Sequence, residues 1–112
     1  MTMTELSLAP DAVEVWVQDL DAQHATQALL ALGLWSPRAG NAPTDHVDAA
    51  YELARRTLNI DKGAITFRLD GCTLHCQCTY GDRVVSATAH QHQEALALTR
   101  AVLRAVYEAR LL

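Results

Sequence analysis

Four residues able to bind a soft metal or run thiol chemistry fall close together in this chain: Cys72, His75, Cys76 and Cys78. Zinc sites and redox centres use these residue types, but they need the side chains to converge on one point. The stretch has no CxxC knuckle. Read as a strand, at about 3.3 Å per residue, it holds Cys72 and Cys78 about 20 Å apart and turns His75 to the face opposite Cys76 and Cys78. A zinc ion holds its sulfurs at about 2.3 Å. The spacing therefore fits reduced thiols packed as small apolar groups in a core. A metal or redox role for Cys76, Cys78 and the histidines is the alternative. Three thiols without a secretory leader do not make a disulfide framework.

His75, His90 and His92 form a second candidate group, since imidazoles serve as metal ligands and general bases. The sequence places no carboxylate to orient these rings and no nucleophile beside them, so they read as polar-face side chains. Aromatic residues are few, which draws attention to Trp16 and Trp35. An outward Trp16 would be an interface anchor; Trp35, two residues before Pro37, is expected to plug one end of the core. There is no phosphate-cradling glycine loop, no GxSxG, no HExxH and no acid pair at catalytic spacing. The expectation is a protein that is not an enzyme and carries no cofactor. Its candidate partner-binding residues are Trp16, Arg68, His75, His90 and Trp35.

Positioning these residues is the work of one domain's length of chain. The 112 residues are half apolar and one fifth charged, an ordinary globular composition. Net charge is −4, and no Lys or Arg precedes Arg38, whereas Glu5, Asp11, Glu14, Asp19 and Asp21 do. That balance excludes a DNA-tracking basic face. No apolar run approaches the roughly 20 residues of a membrane span. Met1 to Pro10 lacks the basic and apolar regions of a secretory signal. A cytoplasmic location is expected, with residues 1–10 frayed and the core at 21–109.

Val13, Val15 and Val17 alternate with polar residues and Trp16, which reads as a strand; the spacing of Val13, Trp16, Val17 and Leu20 also allows a helix. Asp21 is the expected N-cap of a helix over 21–32, with Ala25, Ala28, Leu29 and Leu32 inward and Gly33 ending it. Breakers Pro37, Gly40 and Pro43 mark a loop. A second helix is expected over 45–58, capped by Thr44, with Val47, Ala50, Tyr51, Ala54 and Leu58 inward. A third is expected over 92–109. Its inner face holds Ala95, Leu96, Thr99, Val102, Leu103 and Val106, and its outer face Arg100, Arg104 and Glu108.

Between the last two helices lies an expected three-stranded antiparallel meander, residues 64–89. Asp70-Gly71 signals a type I′ turn and Gly81-Asp82 a type II′ turn. These turns pair Leu69 with Cys72, Phe67 with Leu74, Cys78 with Val85, Cys76 with Ala87 and Leu74 with Ala89, all on one apolar face. Thr66, Arg68, Thr73, His75, Gln77, Thr79, Val84, Ser86, Thr88 and His90 take the other. The predicted fold is α+β, αβββα in type, with residues 13–18 as an optional fourth strand. The predicted core is Leu29, Tyr51, Leu58, Phe67, Leu74, Cys76, Val85, Leu96, Val102 and Leu103.

The order helix, meander, helix over Asp45 to Ala109 resembles the double-stranded RNA-binding domain. That family grips phosphates with a lysine-rich start to its last helix; here the stretch is His90-Gln91-His92-Gln93-Glu94-Ala95-Leu96, a similar topology without the RNA grip, and an RNA-binding module is the alternative reading. A second resemblance rests on Trp35-Ser36-Pro37, the run Asp45-His46-Val47-Asp48-Ala49-Ala50-Tyr51-Glu52-Leu53-Ala54 and the Ala-rich stretch Glu94 to Ala109. Over about residues 25–109 the chain resembles small uncharacterised phage and prophage proteins of the ABA-sandwich type. That resemblance implies an αβββα domain in a phage setting and carries no catalytic residues. The expected role is a protein-binding accessory protein that acts on a host or phage protein, one form being inhibition of a host factor or defence system. A homodimer is a further option, since a strand at 13–18 would be an open edge.

Overall fold

The computed structural model describes residues 20–111. The readings of residues 1–10 and of 13–18, with Trp16, lie outside the described residues. Helix α1 spans Ala22–Ala31, and the Asp21 carboxylate accepts the His24 N–H at 2.8 Å as its cap. It closes in a Schellman motif, Leu34 N donating to Leu29 O at 2.9 Å and Gly33 N to Leu30 O at 3.1 Å.

Helix α2 spans Val47–Leu58, two residues shorter than expected, and His46 precedes it without a side-chain cap. Thr44 is not the cap. It is buried, and its hydroxyl shares a 2.8 Å hydrogen bond with that of Thr26, so it ties this loop to α1. A tertiary partner has taken the oxygen that local preference would give to the helix. The buried side of α2 is Ala50, Leu53 and Ala54, with Val47, Tyr51 and Leu58 partly covered.

Strands β1 (Ile65–Asp70), β2 (Thr73–Tyr80) and β3 (Arg83–His90) form an open antiparallel sheet in the order β1-β2-β3. The second turn falls where the sequence puts it: Tyr80 pairs with Arg83, Cys78 with Val85, Cys76 with Ala87 and Leu74 with Ala89. The first does not. Asp70 pairs with Thr73 and Leu69 with Leu74, so Gly71 and Cys72 make the turn. Gly71 has φ 63° and Gly81 has φ 60°, the left-handed value that a II′ turn needs at its first central residue.

The first turn moves because the backbone of a central antiparallel strand must alternate. Each residue gives its N–H and C=O to one neighbour or the other. A two-residue loop closes on a hydrogen-bonded pair, so the Tyr80–Arg83 pair commits Cys78, Cys76 and Leu74 to β3. Thr73, His75 and Gln77 are left for β1. A turn that paired Leu69 with Cys72 would ask Leu74 and Cys76 to bond on both sides. Shifting the register by two residues keeps every side chain on its face. It carries Cys72 out of the expected core into an exposed turn.

Helix α3 spans Glu94–Leu111 and is the centre of the molecule. It lies on β2 and β3, while α2 and α1 pack on α3 more than on the sheet. Small Ala95, Ala97, Ala101 and Ala105 are buried around it together with Leu96, Leu98, Thr99, Val102 and Leu103. The Thr99 hydroxyl donates to the Pro43 carbonyl at 3.0 Å. Leu29, Leu74, Cys76, Val85, Leu96, Val102 and Leu103 of the predicted core are buried, whereas Tyr51, Leu58 and Phe67 are only partly covered. Among the described residues the sheet's second face carries no helix, so the described part is a two-layer α+β arrangement.

Candidate functional site

The sheet face that no described helix covers is built by strand alternation. Its middle rows run Arg68–His75–Thr88 and Thr66–Gln77–Ser86, and its end row is Asp70–Thr73–His90. The two-residue shift sets Arg68 across from His75, and His90 lies diagonal to His75. Arg68 and His90 are exposed, and His75 is half-buried. Thr66, Arg68, His75, Gln77 and Ser86 line a shallow depression. Three of the predicted partner-binding residues, Arg68, His75 and His90, therefore share one surface.

Trp35 lies elsewhere. It packs against the core from the loop after α1, and its indole nitrogen is buried without a partner among the described residues.

Cys76 and Cys78 occupy the opposite, helix-covered face, both fully buried. The hydrogen bond to the Cys78 sulfur, together with burial, pushes the Cys76 thiol far above its ordinary ionisation range. A thiol in that state packs as an apolar group and is a poor nucleophile. His75 belongs to the other face of the same strand. Among the described residues no three His, Cys, Asp or Glu side chains gather around a common point.

No protein-family model, curated protein or solved structure matches this chain. The chemistry of its surfaces has to be read from the geometry alone.

Beyond the Arg104–Glu108 pair that i,i+4 spacing predicts, two further features concern the edges of the sheet. At β3, Arg100 donates from Nη1 to the Thr88 carbonyl at 2.7 Å and from Nε to the Leu20 carbonyl at 2.8 Å. Arg104 donates to the Ser86 carbonyl at 2.8 Å and pairs with Glu108 at 3.3 Å. The stripe Arg100, Arg104, Glu108 is thus not a plain outer face. It runs along β3 and covers the outward Ser86 and Thr88 carbonyls, because α3 sits over that side of the sheet. At β1, an open groove is lined by Val47, Tyr51, Phe67, Leu69, Leu74 and Glu94. The Tyr51 and Phe67 rings meet edge-to-face, centroids 6.4 Å apart, and Lys62 Nζ sits 4.9 Å from the Tyr51 ring centre. Burial pushes the Tyr51 phenol up.

The alternation rule, applied to the two turns in sequence, is the signal that locates the outward groups of both edges. Among the described residues no helix is long and apolar enough to cross a membrane.

Proposed function

We propose that this chain is a non-enzymatic accessory protein that acts by binding another protein, with the open sheet face around Arg68 and His75 as its docking surface. The observation that carries this reading is the one-sided packing of the sheet. All three described helices lie on one face, and the other presents Arg68, His75, His90, Gln77 and a set of Thr and Ser hydroxyls to solvent. Arginine is an interface residue by preference, and short hydroxyl side chains leave a flat surface that costs little entropy to immobilise. This face holds no Phe, Tyr or Trp, which counts against a stacking platform for single-stranded bases. The start of α3 at Glu94, with no Lys or Arg near it, counts against a duplex-RNA grip.

The phage or prophage setting, and with it a cytoplasmic host or phage protein as target, rests on the resemblance of Trp35-Ser36-Pro37 and of Asp45 to Ala54 to ABA-sandwich proteins. Inhibition of a host factor or defence system is the form of action this reading favours. The test is affinity capture from host lysates with the wild-type chain beside Arg68→Glu and His75→Glu. A protein retained by the wild type and lost at least tenfold by Arg68→Glu, with the circular-dichroism melt unchanged, is the expected result. Capture that is indifferent to both substitutions would refute the assignment of this face.

A further inference from the structure

The backbone alternation fixed by the two turns decides what each sheet edge offers. In β1, Thr66, Arg68 and Asp70 give their N–H and C=O groups to β2, and Ile65, Phe67 and Leu69 point theirs away from the sheet. Of those outward groups the Ile65 N–H turns back to the Lys62 carbonyl; among the described residues nothing bonds to the Ile65 carbonyl or to the N–H and C=O of Phe67 and Leu69. Leu69, beside them, is 57% exposed. An edge of this kind is a template for another strand.

We propose that the β1 edge pairs with the β1 edge of a second copy of this chain, two-fold about Phe67, to make a continuous six-stranded sheet. The register follows from self-complementarity. Centring the axis on Phe67 sets Phe67 against Phe67 of the other copy and Ile65 against Leu69, so the Phe67 pair exchanges both its hydrogen bonds and each Leu69 N–H meets an Ile65 carbonyl, the Ile65 N–H staying with Lys62. Apolar side chains meet apolar ones, and Arg68 lies across from Thr66. Each Phe67 already carries Tyr51 edge-to-face, so the junction becomes a cluster of four aromatic rings. Asp70 of each copy ends beside the Lys62–Ala64 turn of the other, opposite to it in charge. The neighbouring registers fail. Centring on Arg68 sets like charges against each other and uses backbone groups already given to β2. An odd shift lays the polar face of one copy against the apolar face of the other.

Leu20, where the described residues begin, lies at the β3 side, its carbonyl held by Arg100. On that side Arg100 and Arg104 occupy the Thr88 and Ser86 carbonyls, which another strand would need, and this limits pairing to two copies. A strand edge with one groove is smaller than the roughly 1,600 Å² of a standard stable interface. The dimer should therefore dissociate in the micromolar range.

Sedimentation equilibrium from low micromolar to millimolar protein tests this. The wild type is expected to pass from monomer to dimer and no further. Leu69→Lys puts a charge on the edge, and Leu69→Pro removes one outward N–H at a site where an edge strand tolerates proline; both should remain monomeric with native circular dichroism. Val84→Lys, at an equally exposed apolar residue beside the other edge, should leave the dimer intact. Amide exchange at Phe67 should be slow only where the dimer forms. A wild type that stays monomeric to millimolar concentration overturns the proposal, as does a Leu69→Lys dimer, loss of the dimer in Val84→Lys, or growth beyond two copies. A monomer with Phe67 protected would assign the edge to the chain's own residues 1–19 and would equally refute it.

Discussion

The two edges of this sheet are finished in different ways. At β3 the carbonyls of Ser86 and Thr88 accept from Arg104 and Arg100, two long cations on the helix that lies over that side. At β1 the outward groups belong to Ile65, Phe67 and Leu69, and the helix layer leaves a groove there instead of a cover. The difference comes from where α3 sits. It packs on β2 and β3, and its neighbours pack on it, so one strand of the three is left at the margin. A small domain need not close both edges. The edge that no described strand or helix covers is where an added strand would be accommodated.

The contrast breaks most completely if α3 loses its seat. Leu103 is fully buried, and Leu103→Ala should lower unfolding stability by about 3 kcal/mol, read from urea denaturation. Next comes Arg100→Leu, which strips the Leu20 and Thr88 carbonyls of their donor. About 2 kcal/mol should be lost, or roughly 10 °C in Tm, and thermal melts would show it. Should the β3 edge prove indifferent to this change, the two edges are less different than described. Thr99→Val removes the bond to the Pro43 carbonyl without touching either edge. It should cost about 1 kcal/mol in the same melts and leave the oligomeric state alone.

Leu69→Lys should change monomer stability by no more than about 0.5 kcal/mol, since the side chain is largely in water already. The smallest effect belongs to the cap of α1. Hydrogen bonds from the His24 backbone and ring hold the Asp21 carboxyl below its ordinary value. A carboxylate with a lowered folded-state pKa contributes stability that is present above the unfolded value of 3.8 and disappears as pH falls through the folded one. Asp21→Asn keeps the cap oxygen but should flatten that acid-side slope in melts taken below pH 3.8.

Much of this architecture was written in local sequence. Asp21 caps α1, Gly81-Asp82 turns β2 into β3, and the alternation of residues 73–90 separates a thiol-bearing apolar face from a hydroxyl-rich polar one. The first turn was misplaced because Asp70-Gly71 and Gly71-Cys72 are both acceptable hairpin loops and both keep the faces sorted. Side-chain pattern alone could not separate them, and the backbone alternation of β2 could. Thr44 and the Arg100–Arg104 stripe were misread for another reason. Helical periodicity says which side chains leave the apolar stripe, but not that a neighbouring loop or a sheet edge is waiting for them. The Arg68–His75 pair followed from the shifted register, so the candidate site was legible residue by residue but not as an arrangement.

The placement of the first turn carries the rest, since it decides both the outward groups of β1 and the neighbours of Arg68. Thiol labelling of the native protein, counted by mass spectrometry and mapped by peptide, reads it directly. Cys72 should react rapidly and alone, with Cys76 and Cys78 modified only on unfolding. A native protein in which Cys72 is as protected as the other two would put that residue inside the sheet, restore the Leu69–Cys72 register and remove the surface on which self-pairing depends.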